Sequence, residues 1–224
     1  LIEIHGAPFF YWAARSIEKN IPLDGITFVV LKEHIRDFAL DARIRACWPD
    51  ARIVALDDVT PGAAVTCQKG CEGLPDGVPV LFNDCDHLFL CRAFDEFCRA
   101  GDFASGPDGA LLTFPSDSPA YSYLQYGENG LVCRTVEKQV VSRDAICGAY
   151  YFKDKATYLS ACAEYLHTCR YQEFFVSGVY NVMAGRGQAV RGFATDLHLP
   201  FGTPAEYALA ERPENAAGFE ALKA

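Results

Sequence analysis

What this sequence lacks narrows its function first. No apolar run approaches the ~20 residues that cross a bilayer, so a soluble protein with no membrane partner is expected. A positive balance is missing as well: 20 Lys and Arg stand against 29 Asp and Glu, a formal charge of −9. An acidic surface repels nucleic acid and anionic membrane, so neither is an expected partner. Small phosphorylated substrates stay open, because a few local cations and a divalent ion offset the field. No G-x-G-x-x-G follows a strand, which argues against a dinucleotide-dependent oxidoreductase. No charged segment followed by an apolar one opens the chain; no signal peptide is expected, and the expected compartment is the cytoplasm. The first residue is leucine, inside the apolar alternation Leu1-Ile-Glu-Ile4, so residues upstream of it are expected.

Closed metal-cage spacing is the last absence. The 10 cysteines are scattered singly, mostly in apolar segments, the pattern of reduced buried thiols rather than a disulfide framework. Cys67-x3-Cys71 and Cys85-x-His87-x3-Cys91 match no closed four-ligand zinc pattern. His34, His167 and His198 have no partner that the sequence specifies.

What is present reads as one α/β domain over residues 1–224. A chain of this length buries roughly 70–75% of its unfolded surface, enough for a proper core. Pro8 starts a helix over 9–17. Strands follow at 26–31, 52–56 and 79–83, alternating with a helical stripe over 33–46 and a helix starting near Ala63. That alternation predicts βαβ units in a Rossmann-like mixed, mostly parallel sheet flanked by helices. A helix over 91–100 ends at Gly101, with Phe94 and Phe97 on its core side. The second half predicts strands at 111–114, 121–126, 131–136, 146–152 and 189–193, with a hairpin turn at 127–130. Helices over 155–169 and 173–184 place Tyr158 and Tyr165 in the core.

The most informative stretch is Pro79-Val-Leu-Phe-Asn-Asp84-Cys-Asp86-His87. An apolar run ends in two carboxylates one residue apart, where open α/β sheets bind ligands. In a strand the two share side-chain parity and face one crevice. Desolvated carboxylates must be paired or must hold a metal; a solvated turn is the plain alternative. Gly148, inside a strand, marks a close backbone approach or a bulge. Glu137-Lys138 follows a strand, so the two side chains diverge unless the backbone bends.

Read together, these segments resemble the sugar-phosphate nucleotidyltransferases. The resemblance is carried by Leu1-Ile-Glu-Ile-His-Gly-Ala-Pro8, Phe28-Val-Val-Leu-Lys-Glu-His34, Leu56-Asp-Asp-Val-Thr-Pro-Gly-Ala-Ala64 and Asn83-Asp-Cys-Asp-His87. It continues through Val136-Glu-Lys-Gln139 with Ser142, Glu173-Phe-Phe-Val176 with Tyr180-Asn181, and Phe201-Gly-Thr-Pro-Ala-Glu206. It covers nearly the whole chain and is nearest to the branch associated with capsule and cell-surface polysaccharide synthesis.

The resemblance implies a GT-A-like fold. It also implies Mg²⁺-dependent transfer of a nucleotidyl group from a nucleoside triphosphate to a sugar 1-phosphate, releasing pyrophosphate. It divides the domain into a nucleotide-binding half, about 1–100, and an acceptor half, about 101–224. Asp86 matches the metal-binding, catalytic aspartate. Thr60, Gly62, Ala63 and Asp84 fall on the nucleotide side. Glu137, Ser142, Gly148, Tyr180 and Asn181 fall on the acceptor side, with Lys138 meeting the acceptor phosphate. Two departures stand out. The place of a second metal aspartate is taken by Pro200, leaving Asp196 as the nearest substitute. The Gly-rich loop with Arg and Lys that cradles the triphosphate is expected upstream of Leu1. Two alternatives remain open: a CTP-dependent enzyme for a phosphocholine-like acceptor, and a catalytically inactive nucleotide-binding module. The base and the acceptor are undetermined, and a homo-oligomer is allowed.

Overall fold

The computed structural model describes residues 1–223. A short ribbon, β1 (Glu3–Ile4) and β2 (Ala7–Pro8), feeds α1 (Phe9–Glu18), with Pro8 as its N-cap. Next come β3 (Thr27–Leu31), α2 (Lys32–Phe38), α3 (Leu40–Cys47) and β4 (Arg52–Leu56). The stripe over 33–46 is two helices rather than one, because Ala39 takes a left-handed conformation (φ 50°) that ends α2 and starts α3. The chain continues through α4 (Ala63–Cys71), β5 (Val80–Asn83), β6 (His87–Leu90) and α5 (Arg92–Ala100). The second half holds β7 (Gly109–Pro115), β8 (Ser122–Tyr126), β9 (Val132–Glu137), β10 (Asp144–Phe152), α6 (Lys155–Thr168) and α7 (Val176–Gly185). It closes with β11 (Val190–Ala194), β12 (Leu197–Pro200), α8 (Pro204–Ala210) and α9 (Ala216–Lys223).

The central sheet runs β11-β7-β10-β8-β9, with β5 added alongside β10. It is mixed: β7 and β11 are parallel, whereas β10 runs antiparallel to β5, β7 and β8. The parallel pair β3/β4 and the antiparallel ribbon β6/β12 are separate sheets. Strand β10 is the organiser. Its alternate residues split two cores, as strand periodicity requires. Ile146, Tyr150 and Phe152 face α6 and α7, while Cys147, Ala149 and Tyr151 face α1 and α5. A third core gathers Trp12, Leu88, Phe201 and Phe219 from α1, β6, the chain after β12, and α9.

Two features of this sheet place the functional residues. The register along β10 shifts between Ile146 and Tyr150, around Gly148 at φ 95°. That bulge sets Asp84 opposite Gly148, with Asp84 N–H donating to Gly148 O at 2.9 Å. The ribbon β6/β12 then places Phe201 against Asp86, whose carbonyl accepts from Phe201 N–H at 2.9 Å. Both carboxylates are therefore anchored through backbone. The C-terminal segment over 197–223, for which sequence patterning gave no element, completes the wall through β12, α8 and α9.

Candidate active site

A cavity of about 250 Å³ opens at the ends of β5, β8, β9 and β10. Asp84, Asp86, Gly148 and Gly202 line one side, and Glu137, Lys138, Phe175 and Glu206 line others. A larger hollow of about 340 Å³ beside His5, Tyr11 and Trp12 has Lys223 but no carboxylate in its lining, so the chemistry converges on the first.

Close packing explains the carboxylate positions. A Cβ on Gly148 would come within 2.5 Å of Asp84 Oδ2. A Cβ on Gly202 would collide with Asp86 Oδ2. Each acid thus occupies space that only a glycine leaves free. Among the described residues neither carboxylate has an ion-pair partner. Asp84 is exposed at the cavity mouth, yet the protein packed beside it partly desolvates the carboxyl; that, and next the charge of Asp86, push it up to about 7. Asp86 is also raised, first by desolvation, with Glu206 adding repulsion. Two hard oxygen ligands with no ion-pair partner among the described residues are the donor set that Mg²⁺ takes, with phosphate oxygens and water completing its octahedron. The residues present fit that ion.

Across the cavity, Glu137 is clamped by two hydroxyls: Ser122 Oγ donates to Oε2 at 2.6 Å, and Ser177 Oγ donates to Oε1. Lys138 sits at φ 52°, a left-handed conformation that costs a non-glycine residue about 1–2 kcal/mol. The bend turns Glu137 and Lys138 into the same cavity instead of to opposite faces. Lys138 N–H donates to Tyr121 O at 3.1 Å, and its ammonium lies 5.5 Å from the centre of the Phe175 ring. Glu206 closes the rim: it completes a capping box with Thr203 at α8 and accepts from Tyr121 Oη at 2.6 Å.

Asp84, Asp86, Glu137, Lys138 and Gly148 are therefore brought together; the other candidates are not. Asp196 lies on the β11–β12 turn, where Arg92 binds it through its guanidinium at 2.7 Å and its backbone N–H at 2.8 Å. That pairing holds its carboxyl below the usual range, and the side chain is outside the cavity lining. Pro200 lines the cavity and offers no side-chain donor. Tyr180 is a core residue, its hydroxyl donating to Tyr151 O at 2.8 Å. Asn181 braces β9 by bonding both N–H and O of Thr135. Ser142 caps a turn by accepting from Asp144 N–H at 3.1 Å. The Thr60–Ala63 loop is tied to the segment before α7, with Ala64 N–H donating to Phe174 O at 2.9 Å and Gly62 packed on the Phe174 backbone. Sequence reasoning missed Ser122, Ser177, Glu206 and Gly202. Only Gly202 and Glu206 left a signal, inside the Phe201–Glu206 block.

The fold has counterparts among solved structures. The chain is similar to a nucleoside-diphosphate-sugar pyrophosphorylase from Vibrio cholerae RC9, at 21% identity and a TM-score of 0.78 over 94% of this chain and 90% of that one. It is similar to an inositol-1-phosphate CTP transferase from T. maritima, at 16% identity and a TM-score of 0.73 over 99% of this chain and 86% of that one. A third likeness is a Bacillus anthracis protein assigned as a glucose-1-phosphate thymidylyltransferase, at 16% identity and a TM-score of 0.74, over 97% of this chain and 85% of that one. The chain shares its fold with these three structures. No protein-family model matches the chain, and no curated protein sequence matches it.

The raised carboxyl of Asp84 has a measurable consequence in protein stripped of divalent ions. A carboxyl whose folded value lies above its unfolded one stabilises the fold at low pH, and that contribution is lost as pH rises from about 3.8 through about 7. Water entering from the cavity mouth screens the charge, so the loss is smaller than for a sealed acid. His198 titrates the other way, held down to about 4 by burial. The informative quantity is therefore the difference between wild type and Asp84→Asn. Urea midpoints measured across pH 4–7 with chelator present are expected to fall more steeply in wild type than in the variant. Parallel curves would remove Asp84 as the titrating group.

Proposed function

We propose that this protein is a nucleotidyltransferase. It transfers a nucleotidyl group from a nucleoside triphosphate to a phosphorylated small molecule of the sugar 1-phosphate class. The observation that supports this most is the pair of unpaired carboxylates, Asp84 and Asp86, facing Glu137 and Lys138 across one cavity. The fold shared with three nucleotidyltransferase-type structures supports the same reading.

In the proposed reaction an oxygen of the acceptor phosphate attacks the α-phosphorus of the triphosphate. The new P–O bond forms there, the bond to the bridging β-oxygen breaks, and pyrophosphate leaves with the electron pair. Such a transfer needs in-line positioning and positive charge more than covalent help from the protein. Asp86 would hold the divalent ion, with Asp84 beside it. Bound Mg²⁺ supplies charge neutralisation at the phosphate oxygens. Lys138, a point charge aimed into the cavity, pairs with the acceptor phosphate. Glu137, oriented by its two serine hydroxyls, accepts from acceptor hydroxyl groups. We propose nucleotide-sugar synthesis for surface polysaccharides, in the cytoplasm, as the setting of this reaction.

Pyrophosphate release with each of four nucleoside triphosphates, against a panel of sugar 1-phosphates and phosphocholine, tests the reading. Full-length protein is expected to release pyrophosphate with at least one pair, and only with a divalent ion. Asp86→Asn keeps the shape and removes the charge, so turnover is expected to drop by orders of magnitude while the fold is retained. Near-normal turnover in that variant would contradict the assignment. For Lys138→Ala, losing a charge-assisted contact worth roughly 1.5–3 kcal/mol weakens the acceptor about ten- to a hundredfold. Affinity for the triphosphate is expected to change less. Equal losses for the two ligands would move Lys138 to the nucleotide side.

A further inference from the structure

Three side chains beside the carboxylates take no part in that chemistry. His87 on β6, Cys147 on β10 and His198 on β12 each offer one ligand atom, and these atoms lie within 4.8 Å of one another. His87 and Cys147 are buried, and all three border the cavity. The strand register explains the meeting. His198 stands opposite Phe89, so His87 is its diagonal neighbour on the same face of the ribbon.

The tautomer of His87 is fixed by its neighbours. Asn83 Nδ2 donates to Ala13 O at 3.0 Å, which orients the amide. Asn83 Oδ1 therefore accepts from His87 Nε2–H, 3.1 Å away. That leaves a lone pair on His87 Nδ1, directed at His198 Nε2 at hydrogen-bond distance, 3.3 Å. Two nitrogens bound to one tetrahedral ion at 2.0–2.1 Å stand roughly 3.3 Å apart, so the imidazoles already hold the spacing of a shared ion. A thiolate at about 2.3 Å makes the third ligand after a side-chain shift of about 1 Å by Cys147. The Asn83 amide supplies the outer hydrogen bond that ligating histidines have. Imidazole and thiolate select zinc-class ions, whereas carboxylates select Mg²⁺, so the two sites do not compete for one metal.

We propose that His87, Cys147 and His198 bind one zinc-class divalent ion, with its fourth position open toward the cavity. The ion ties β10 to the β6/β12 ribbon directly behind Asp84 and Asp86. Its ligands come from three strands far apart in sequence, which is why cysteine spacing gave no sign of it.

Titration of metal-free protein with Co²⁺ tests the site, because cobalt absorption reports both thiolate ligation and tetrahedral geometry. One equivalent is expected to produce a thiolate-to-cobalt charge-transfer band that Zn²⁺ abolishes on displacement. Zn²⁺ at about a hundred times its dissociation constant is expected to raise Tm by about 5–10 °C. Cys147→Ala and the closer-shaped Cys147→Ser are both expected to lose the band, and His198→Gln to lose stoichiometric binding. Cys133→Ser, an exposed thiol on β9, keeps both. A wild-type protein with no thiolate band overturns the proposal and leaves a plain hydrogen-bonded histidine pair. The same band in folded Cys147 variants overturns it too, by moving the metal to other cysteines.

Discussion

Two like charges set side by side at the end of a strand are the constraint around which this structure is arranged. Asp84 and Asp86 are fixed by backbone hydrogen bonds to Gly148 and Phe201, and among the described residues neither has an ion-pair partner. Repulsion and desolvation both oppose their ionisation, and their carboxyls rise accordingly. A fold tolerates such a cost when a ligand removes it, as a divalent ion with triphosphate oxygens would under the proposed function. The glycines at 148 and 202 are the steric side of the same bargain, since a methyl group at either place would displace an acid.

The opposite wall carries a second local cost. Lys138 is held left-handed so that it and Glu137 point into one space. Strain of this kind persists where surrounding structure determines it, and it clusters at functional sites. Here the determinants are the bond from Lys138 N–H to Tyr121 O, the Phe175 ring, and the Ser122 and Ser177 hydroxyls on Glu137. Ser177 belongs to α7, and Asn181 one turn further on fixes β9 through Thr135. One helix thus sets both the carboxylate and the strand that presents it. Asn181 supports the site from behind.

Much of this was legible in the sequence, and for physical reasons. The strand ending in Asp84-Cys-Asp86 declares itself, because apolar residues that stop abruptly at two acids have few stable placements. Gly148 inside β10 and the Glu137-Lys138 pair were readable for similar reasons: a glycine in a strand and charges at a strand end both break local rules. The break at Ala39 was not readable, since alanine is a strong helix former and carries no signal for a left-handed conformation. Asp196 was misplaced because sequence distance to the Gly202-Thr203 pair says nothing about Arg92, which claims it from α5. Tyr180 shows the same limit. Its hydroxyl is spent on the Tyr151 and Ala110 carbonyls inside the core. The partnership of His87 with His198 depends on ribbon register, which a strand absent from the sequence reading could not supply.

The account turns on the claim that the carboxylate pair makes triphosphate binding depend on a divalent ion. Calorimetric titration of full-length protein with nucleoside triphosphates, in Mg²⁺ and in chelator, addresses it most directly. One triphosphate is expected to bind with Mg²⁺ and to weaken at least about tenfold, 1.4 kcal/mol or more, when the ion is removed. Equal affinity in chelator would mean that Asp84 and Asp86 hold no ion for the substrate, and the proposed chemistry at this cavity would fall.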